Sequence, residues 1–172
     1  DYPQADLNNP SLFPENRPAF RQSYIPYASL VQYITPLYAS IEGSYRFFHD
    51  SFGINANTVA LSWHQKIGAH VLVSPVFRYY RQNEPSFYAT QFPGDPSNPF
   101  DPTPIPTYYS ADYRLSKMET FDFGVEVTAK IIELLSLDFA YKRYAMYGLD
   151  NVTSSSAYPK ANIFTVGARL WF

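Results

Sequence analysis

The sequence predicts an all-β fold, an antiparallel β-barrel, and three observations support that prediction. Apolar and polar residues alternate with period two over seven segments, as in strands that have one apolar and one polar face. Eleven of the 15 prolines lie in two stretches, 1–18 and 85–106, and proline cannot donate a hydrogen bond within a β-ladder. The connections between the alternating segments are in turn short and long. These patterns predict a meander with tight turns at one end and longer loops at the other.

Seven strands are predicted in chain order. The first, Ser23 to Ile34, carries aromatic residues on both faces, so its register stays ambiguous. In the last, Phe164, Val166 and Ala168 share one face, and Thr165 lies on the other. The same alternation defines the five strands between them, 37–47, 59–64, 71–80, 121–130 and 135–142.

The remaining segments are predicted to be connections. Tight turns are expected at 35–36, 67–68 and 132–134, and longer connections at 49–53, 84–110 and 149–159. Residues 1–22 and 84–110 contain the proline-rich stretches and are expected to be long loops.

Composition excludes several classes of protein. The length of 172 residues fits a single domain, 1–172. No segment approaches the ~18 consecutive apolar residues of a membrane-spanning helix. A net charge of −2 gives no reason to expect a nucleic-acid partner. The absence of cysteine excludes a disulfide framework, a thiolate metal site and a cysteine nucleophile.

Alternation by itself does not distinguish a soluble barrel from a membrane barrel, but three further features favour the membrane. Apolar residues at every second position lead to a terminal Phe172, which resembles the C-terminal signal of bacterial outer-membrane proteins. The charges that share the apolar face, Lys117, Glu119 and Arg143, fall near strand ends, where charge is tolerated. Aromatics near both strand ends are expected to anchor the membrane interfaces. They are Tyr33, Tyr45, Trp63, Tyr79, Tyr147, Trp171 and Phe172.

Strand parity then predicts an incomplete barrel. Bacterial single-chain barrels have even strand numbers and short turns on the periplasmic side. With Phe172 at the periplasmic face, counting back seven strands leaves residues 1–22 outside the cell. We therefore expect this chain to supply about seven C-terminal strands of a larger transmembrane barrel in a bacterial outer membrane, with its long loops extracellular.

Several motifs resemble an uncharacterised bacterial outer-membrane β-barrel family that is catalogued as a domain of unknown function. They are Pro14-Glu15-Asn16-Arg17-Pro18, the run from Tyr45 to Ile54, Phe77-Arg78-Tyr79-Tyr80-Arg81-Gln82, Asp112-Tyr113-Arg114-Leu115-Ser116 and Tyr141-Lys142-Arg143-Tyr144. The resemblance implies an outer-membrane location and further N-terminal strands. It implies no activity and no catalytic residues.

Charged residues near the outer ends of the strands, and others deeper inside the predicted barrel, are the candidate site. Arginine pairs in a planar fork with carboxylates or phosphates, so these residues could bind a solute in the barrel lumen or at its mouth. Alternatively, they pair with one another and tie the loops to the barrel wall. The candidates are Glu42, Arg46, Asp50, Arg78, Arg81, Asp112, Arg114, Glu126, Asp138, Lys142 and Arg169.

The expected function is porin-like passage or binding of small polar or anionic solutes. The alternative is a sealed structural barrel whose loop 84–110 docks an extracellular or membrane protein. No enzyme is expected, because Ser62 and His64 share a face but do not make a triad. No cofactor or metal site is expected, and the histidines lie at no metal-ligand spacing. The lipid bilayer, including lipopolysaccharide, is the expected partner, and nucleic acid is not.

Overall fold

The computed structural model describes residues 2–3, 12–95, 98 and 100–170, with side chains described from Pro14 onward. Within these residues the chain forms ten β-strands and three short 3-10 turns, and no α-helix. The strands are β1 (Tyr2–Pro3), β2 (Leu12–Phe13), β3 (Ser23–Tyr24), β4 (Tyr27–Ile34), β5 (Ala39–Asp50), β6 (Asn55–Ile67), β7 (Val71–Gln82), β8 (Met118–Ile132), β9 (Leu135–Gly148) and β10 (Lys160–Leu170).

Strands β3 to β10 form one antiparallel sheet. Its order is β10-β9-β8-β7-β6-β5, and β3 and β4 both pair with the free side of β5. The strands β1 and β2 form a separate two-stranded sheet. Because each strand of the large sheet pairs with a near neighbour in sequence, the sheet is a meander. The expected all-β antiparallel fold is therefore confirmed.

The sheet is open rather than closed into a barrel. Among the described strands, β10 pairs only with β9, and the edge formed by β3 and β4 pairs only with β5. The sheet has seven strand positions from β4 to β10, and neighbouring strands are antiparallel. The first and last, β4 and β10, therefore run in the same direction, so direct closure would join two parallel strands. The described residues therefore form no closed barrel by themselves, and the sequence prediction had assigned to this chain only about seven strands of a larger one.

The predicted first strand is divided in two by Pro26. Proline has no N–H to give to the ladder, and β3 ends at Tyr24 while β4 begins at Tyr27. The carbonyl of Pro26 still accepts the N–H of Phe47 at 3.1 Å. The two pieces therefore follow the same side of β5, and the sheet has the seven positions that the sequence predicts.

The connections at one end of the sheet are 35–38, 68–70 and 133–134, and those at the other end are 51–54, 83–117 and 149–159. The expected alternation in length holds for the later connections, whereas 51–54 is no longer than 35–38. The turn before β7 uses Gly68 at a φ of +60°, a left-handed conformation that a side chain disfavours. We call the two ends of the sheet the short-turn end and the long-loop end.

Register divides the sheet into an apolar and a polar face. Residues directly opposite each other share a face, and Leu61, Phe77 and Phe123 form one such row on the apolar face. Ala60, Arg78 and Asp122 form the corresponding row on the polar face. Phe123 is 52% exposed and Val166 on β10 is 78% exposed, so apolar side chains of the sheet meet no covering layer.

The packed core lies on the polar face at the long-loop end. Met118, Met146 and Tyr158 form a buried cluster, against which Tyr80, Tyr113 and Tyr144 pack. Met118, Tyr80, Tyr144 and Met146 come from polar-face positions of β7, β8 and β9, whereas Tyr113 and Tyr158 come from the long connections. The long loops therefore fold over the polar face and leave its short-turn half uncovered.

Candidate functional site

Three ion pairs follow one another across the polar face. Arg78 contacts Asp122 at 3.4 Å between β7 and β8, and Lys142 contacts Glu126 at 2.8 Å between β9 and β8. Arg169 on β10 donates to Asp138 on β9 through Nε at 2.9 Å and Nη2 at 2.6 Å. The antiparallel register produces this series, because it sets Arg78 directly opposite Asp122 and each other base within two residues of its acid. The three pairs link four consecutive strands.

Two cavities lie along this series. The first has about 430 Å³ and is lined by Ser62, His64, Arg78 and Asp122 among others. The second has about 460 Å³ and is lined by Thr128, Asp138, Thr165 and Arg169 among others. Both cavities are lined by Glu126 and Lys142. The central ion pair therefore lies between two cavities of similar size, each lined by both charged and apolar side chains.

Arg46 differs from the other arginines of this face. Its Nη2 lies 3.5 Å from Oγ1 of Thr58, directly opposite on β6. In the described part of the chain no carboxylate lies within 4.0 Å of its guanidinium. Arg46 can therefore accept an anion without breaking an existing ion pair.

The polar face carries slightly more positive than negative charge. Over its whole length six cations share it with five carboxylates, although the whole chain has a net charge of −2. An excess of one sign on a confined surface raises the local concentration of the opposite ion. The cations are Arg46, Lys66, Arg78, Lys130, Lys142 and Arg169, and the carboxylates are Glu42, Asp50, Asp122, Glu126 and Asp138.

His64 lies between a serine and a carboxylate. Its Nδ1 is 2.9 Å from Oγ of Ser74, and its Nε2 is 3.9 Å from Oε2 of Glu42. Ser74 is only 5% exposed, so its hydroxyl is not accessible to a substrate. The expectation had considered Ser62 beside His64, whereas the β6–β7 pairing brings Ser74 to the histidine instead.

At the long-loop end, Arg17 and Arg114 converge on Asp112. Arg17 contacts Asp112 at 2.9 Å and Glu15 at 2.6 Å, and Arg114 contacts Asp112 at 2.6 Å. Burial by itself raises the pKa of the Asp112 carboxyl, but hydrogen bonds from Arg114 and Arg17 outweigh it and hold this pKa at about 2. The carboxylate of Asp112 thus ties the N-terminal segment to the loop before β8.

A second acid of this end, Asp50, has a partner that the sequence did not indicate. Its side chain is fully buried and accepts a hydrogen bond from Arg21, whose Nη2 lies 2.5 Å away. Asp50 also accepts the backbone N–H of Ile54 at 2.9 Å. The Arg21 guanidinium lies 5.0 Å from the ring centroid of Phe52. Arg17 and Arg21 lie in an irregular segment without periodicity, so no strand pattern could place them.

The long loops are joined above the polar face. Tyr88 contacts Thr153 through their hydroxyls at 2.5 Å, and Ser116 contacts the Tyr158 hydroxyl at 2.7 Å. The amide of Gln82 donates to the carbonyls of Arg114 and Ser116 at 2.9 and 2.8 Å. These contacts hold the connection 83–117 against the connection 149–159 and against the end of β7.

The candidate charged residues fall into three places. Arg81 lies on the apolar face, opposite Glu119, and Asp112 and Arg114 lie in the connection before β8. The remaining candidates share the polar face, and they are Glu42, Arg46, Asp50, Arg78, Glu126, Asp138, Lys142 and Arg169. Asp122, which pairs with Arg78, was missed although its alternation with Phe121 and Phe123 placed it on this face.

The predicted interface aromatics mostly share the apolar face. Tyr45, Trp63, Tyr79 and Tyr147 occupy apolar-face positions of β5, β6, β7 and β9. Tyr33 lies opposite Ser40, on the polar face, which is the strand whose register the sequence left ambiguous. Trp171 and Phe172 lie outside the described residues.

Across the residues that the structure describes, no three His, Cys, Asp or Glu side chains are grouped so that they could hold a metal ion. The carboxylate of Asp101 accepts the backbone N–H groups of Asp95 and Thr103 at 2.7 and 2.8 Å. Within the same residues there is no helix with the length and apolarity needed to cross a membrane.

One family model matches the chain, over residues 3–158, and it is described as a protein of unknown function (DUF3570). No curated protein and no solved structure matches.

Proposed function

The chain belongs to the DUF3570 family, and we propose that it forms about seven C-terminal strands of a larger transmembrane β-barrel in a bacterial outer membrane. Its apolar face would contact lipid and its polar face would line the lumen. Small polar or anionic solutes would bind in the lumen or pass through it.

The uncovered apolar face supports the membrane placement. Side chains such as Phe164 (67% exposed) and Leu170 (70% exposed) would be costly on a sheet that faces water. An outer-membrane strand tilted by 35–45° crosses an apolar band about 25 Å tall with roughly ten residues. Strands β8 and β9 have 15 and 14 residues, so each is long enough to cross it.

The open edges support the larger barrel. An unpaired strand edge within lipid leaves N–H and C=O groups without partners, which costs several kcal/mol per group. Antiparallel closure between β4 and β10 requires an odd number of added strands, because these two run in the same direction. A complete barrel with an even strand number satisfies that requirement.

The excess of cations on the polar face is the observation that supports an anionic solute. Arg46 without an acidic partner, together with the loosely held Arg78, supports a preference for anions. Full-length protein reconstituted into a planar bilayer is expected to conduct, with a reversal potential in a salt gradient that indicates anion selectivity. A barrel that inserts but stays silent would reject the passage of solutes.

A second candidate is the sealed structural barrel, and the contacts between the long loops favour it. The cluster of Met118, Met146 and Tyr158 covers the polar face at the long-loop end. In a barrel these loops would close the outer mouth, and loop 84–110 would be the surface that docks a partner. Deletion of residues 90–106, which leaves Tyr113 and Tyr158 in place, is then expected to abolish partner binding while the barrel stays silent.

A further inference from the structure

A group of cations interrupts the apolar face near the long-loop end of β9 and β10. Arg143 lies opposite Asn162, and Lys160 lies opposite Ala145. Arg143 and Lys160 are therefore diagonal neighbours on one face, at a backbone separation of about 7–8 Å. The basic patch, as we call it, consists of Tyr141, Arg143, Tyr147, Lys160 and Asn162.

The contacts within the basic patch leave its two positive charges uncompensated. Arg143 Nη1 and the hydroxyl of Tyr141 both donate to Oδ1 of Asn162, at 3.1 and 3.0 Å. The Lys160 Nζ lies 4.5 Å from the ring centroid of Tyr147. Among the described residues no carboxylate lies within 4.0 Å of either cation.

One acid, Glu119, lies on the same face beside the patch. It lies opposite Tyr147 and Arg81 and accepts the hydroxyl of Tyr79 at 2.9 Å. Its carboxylate forms no ion pair within 4.0 Å with Lys160 or Arg143.

Towards the short-turn end the same face of these two strands is apolar and exposed. Phe139, Phe164 and Val166 continue it without a charged residue. The surface thus combines a cationic head region with an apolar track beside it. A guanidinium fork and an ammonium group are both common phosphate-binding groups, so the ligand that fits the whole surface has an anionic phosphate head and an apolar chain.

We propose that the basic patch binds the phosphate headgroup of an anionic lipid, whose acyl chain lies along Phe164 and Val166. This inference rests on the proposed placement of the apolar face against lipid. Lysine and arginine close to an anionic membrane surface each gain about fivefold in affinity. The two cations together are therefore expected to select anionic over zwitterionic lipid by roughly 30-fold.

The test uses full-length protein reconstituted into phosphatidylcholine vesicles, with and without phosphatidylglycerol. Flotation of the vesicles measures insertion. Native mass spectrometry after extraction in non-ionic detergent measures retained lipid. The double variant Arg143→Gln with Lys160→Gln is compared with Lys66→Gln with Lys130→Gln, which removes the same charge from the polar face.

Selective retention of phosphatidylglycerol is expected for the natural protein and for the Lys66→Gln, Lys130→Gln control. The patch variant is expected to insert normally and to lose this selectivity by roughly 30-fold. Lys160→Arg is expected to keep it, and excess inorganic phosphate is not expected to displace the lipid.

Three results would overturn the inference and leave the membrane placement intact. The first is equal retention of both lipids by inserted protein, and the second is complete displacement of the lipid by inorganic phosphate. The third is a dimer in which a second copy of the protein covers the patch and which the patch variant no longer forms. Failure of the natural protein to float with either vesicle would instead reject the proposed membrane placement.

Discussion

At the scale of single residues, Arg46 and Asp112 are two charged side chains that differ in whether they have an ionic partner. Asp112 is held by two arginines, whereas in the described part of the chain Arg46 has a threonine hydroxyl and no carboxylate as its neighbour. Paired charges stabilise local structure and are poor ligands, since a ligand must first replace the partner. Asp112 is therefore a structural residue of the loops, and Arg46 is available to a solute.

Arg46→Gln is expected to reduce the anion selectivity of the reconstituted protein. The substitution removes a positive charge from the polar face without leaving an acid unpaired, so folding should be unaffected. The shift in reversal potential under a salt gradient measures the change. Arg169→Gln is the comparison, because it removes the same charge but leaves Asp138 with the Thr128 hydroxyl and without its ionic partner. An unchanged reversal potential for Arg46→Gln would contradict the assignment.

The pKa of Asp112 predicts how the loop contacts depend on pH. Its pKa is about 2 in the folded protein against 3.8 for the free side chain, so its stabilising effect is complete above about pH 4 and is lost as the pH falls towards 2. Because the site is partly exposed and screened, we expect a loss of only about 1 kcal/mol. Hydrogen exchange of the connection 83–117 between pH 5 and pH 2 measures it, and Asp112→Asn should remove the pH-dependent step.

At the scale of elements, the long loops are packed parts of the molecule and not free connections. Tyr158 lies in the connection before β10, yet it is 5% exposed because Met118, Met146 and Ser116 surround it. Gly148, at the end of β9, permits this packing, since a Cβ there would overlap the ring of Tyr158. One glycine therefore sets how closely a loop can approach the sheet.

Gly148→Ala is expected to displace Tyr158 and to destabilise the loop packing by about 1–3 kcal/mol, as other overpacked sites do. Protease accessibility of residues 149–159 and the urea midpoint of unfolding measure the effect. Gly43→Ala is the matched control, because a Cβ on β5 at that position meets no atom within 4 Å. Equal effects at both glycines would show that strand propensity, and not contact with Tyr158, is responsible.

At the scale of the whole molecule, the sheet has two faces that differ in what covers them. Loops cover the long-loop half of the polar face, while the apolar face presents large side chains to its surroundings. A soluble sheet buries its apolar side against a second layer. The opposite arrangement here is the basis of the proposed membrane placement.

Neighbouring residues on β10 test that placement. Val166→Lys puts a charge on the apolar face, and Thr165→Lys puts the same charge on the polar face. In a membrane barrel a lysine facing lipid costs about 2–4 kcal/mol near the midplane, whereas one facing the lumen is tolerated. Folding equilibria in phosphatidylcholine vesicles measure both. Equal costs for the two variants would contradict the placement.

The sequence by itself determined the strands of the large sheet, their two faces and the positions of the connections, whereas it predicted a loop for residues 1–22, which contain β1 and β2. These features depend on alternation with period two and on proline, which removes the backbone N–H at its own position. Both are local properties of the chain. Even Asp122, although missed, was within reach of that pattern. Only the tertiary structure decided the interruption at Pro26, the face of Tyr33 and the pairings of Ser74 with His64 and of Arg21 with Asp50. It also placed the loops over the polar face. Such pairings join residues distant in the chain, and no periodicity encodes which distant segment a strand edge or an irregular loop will meet.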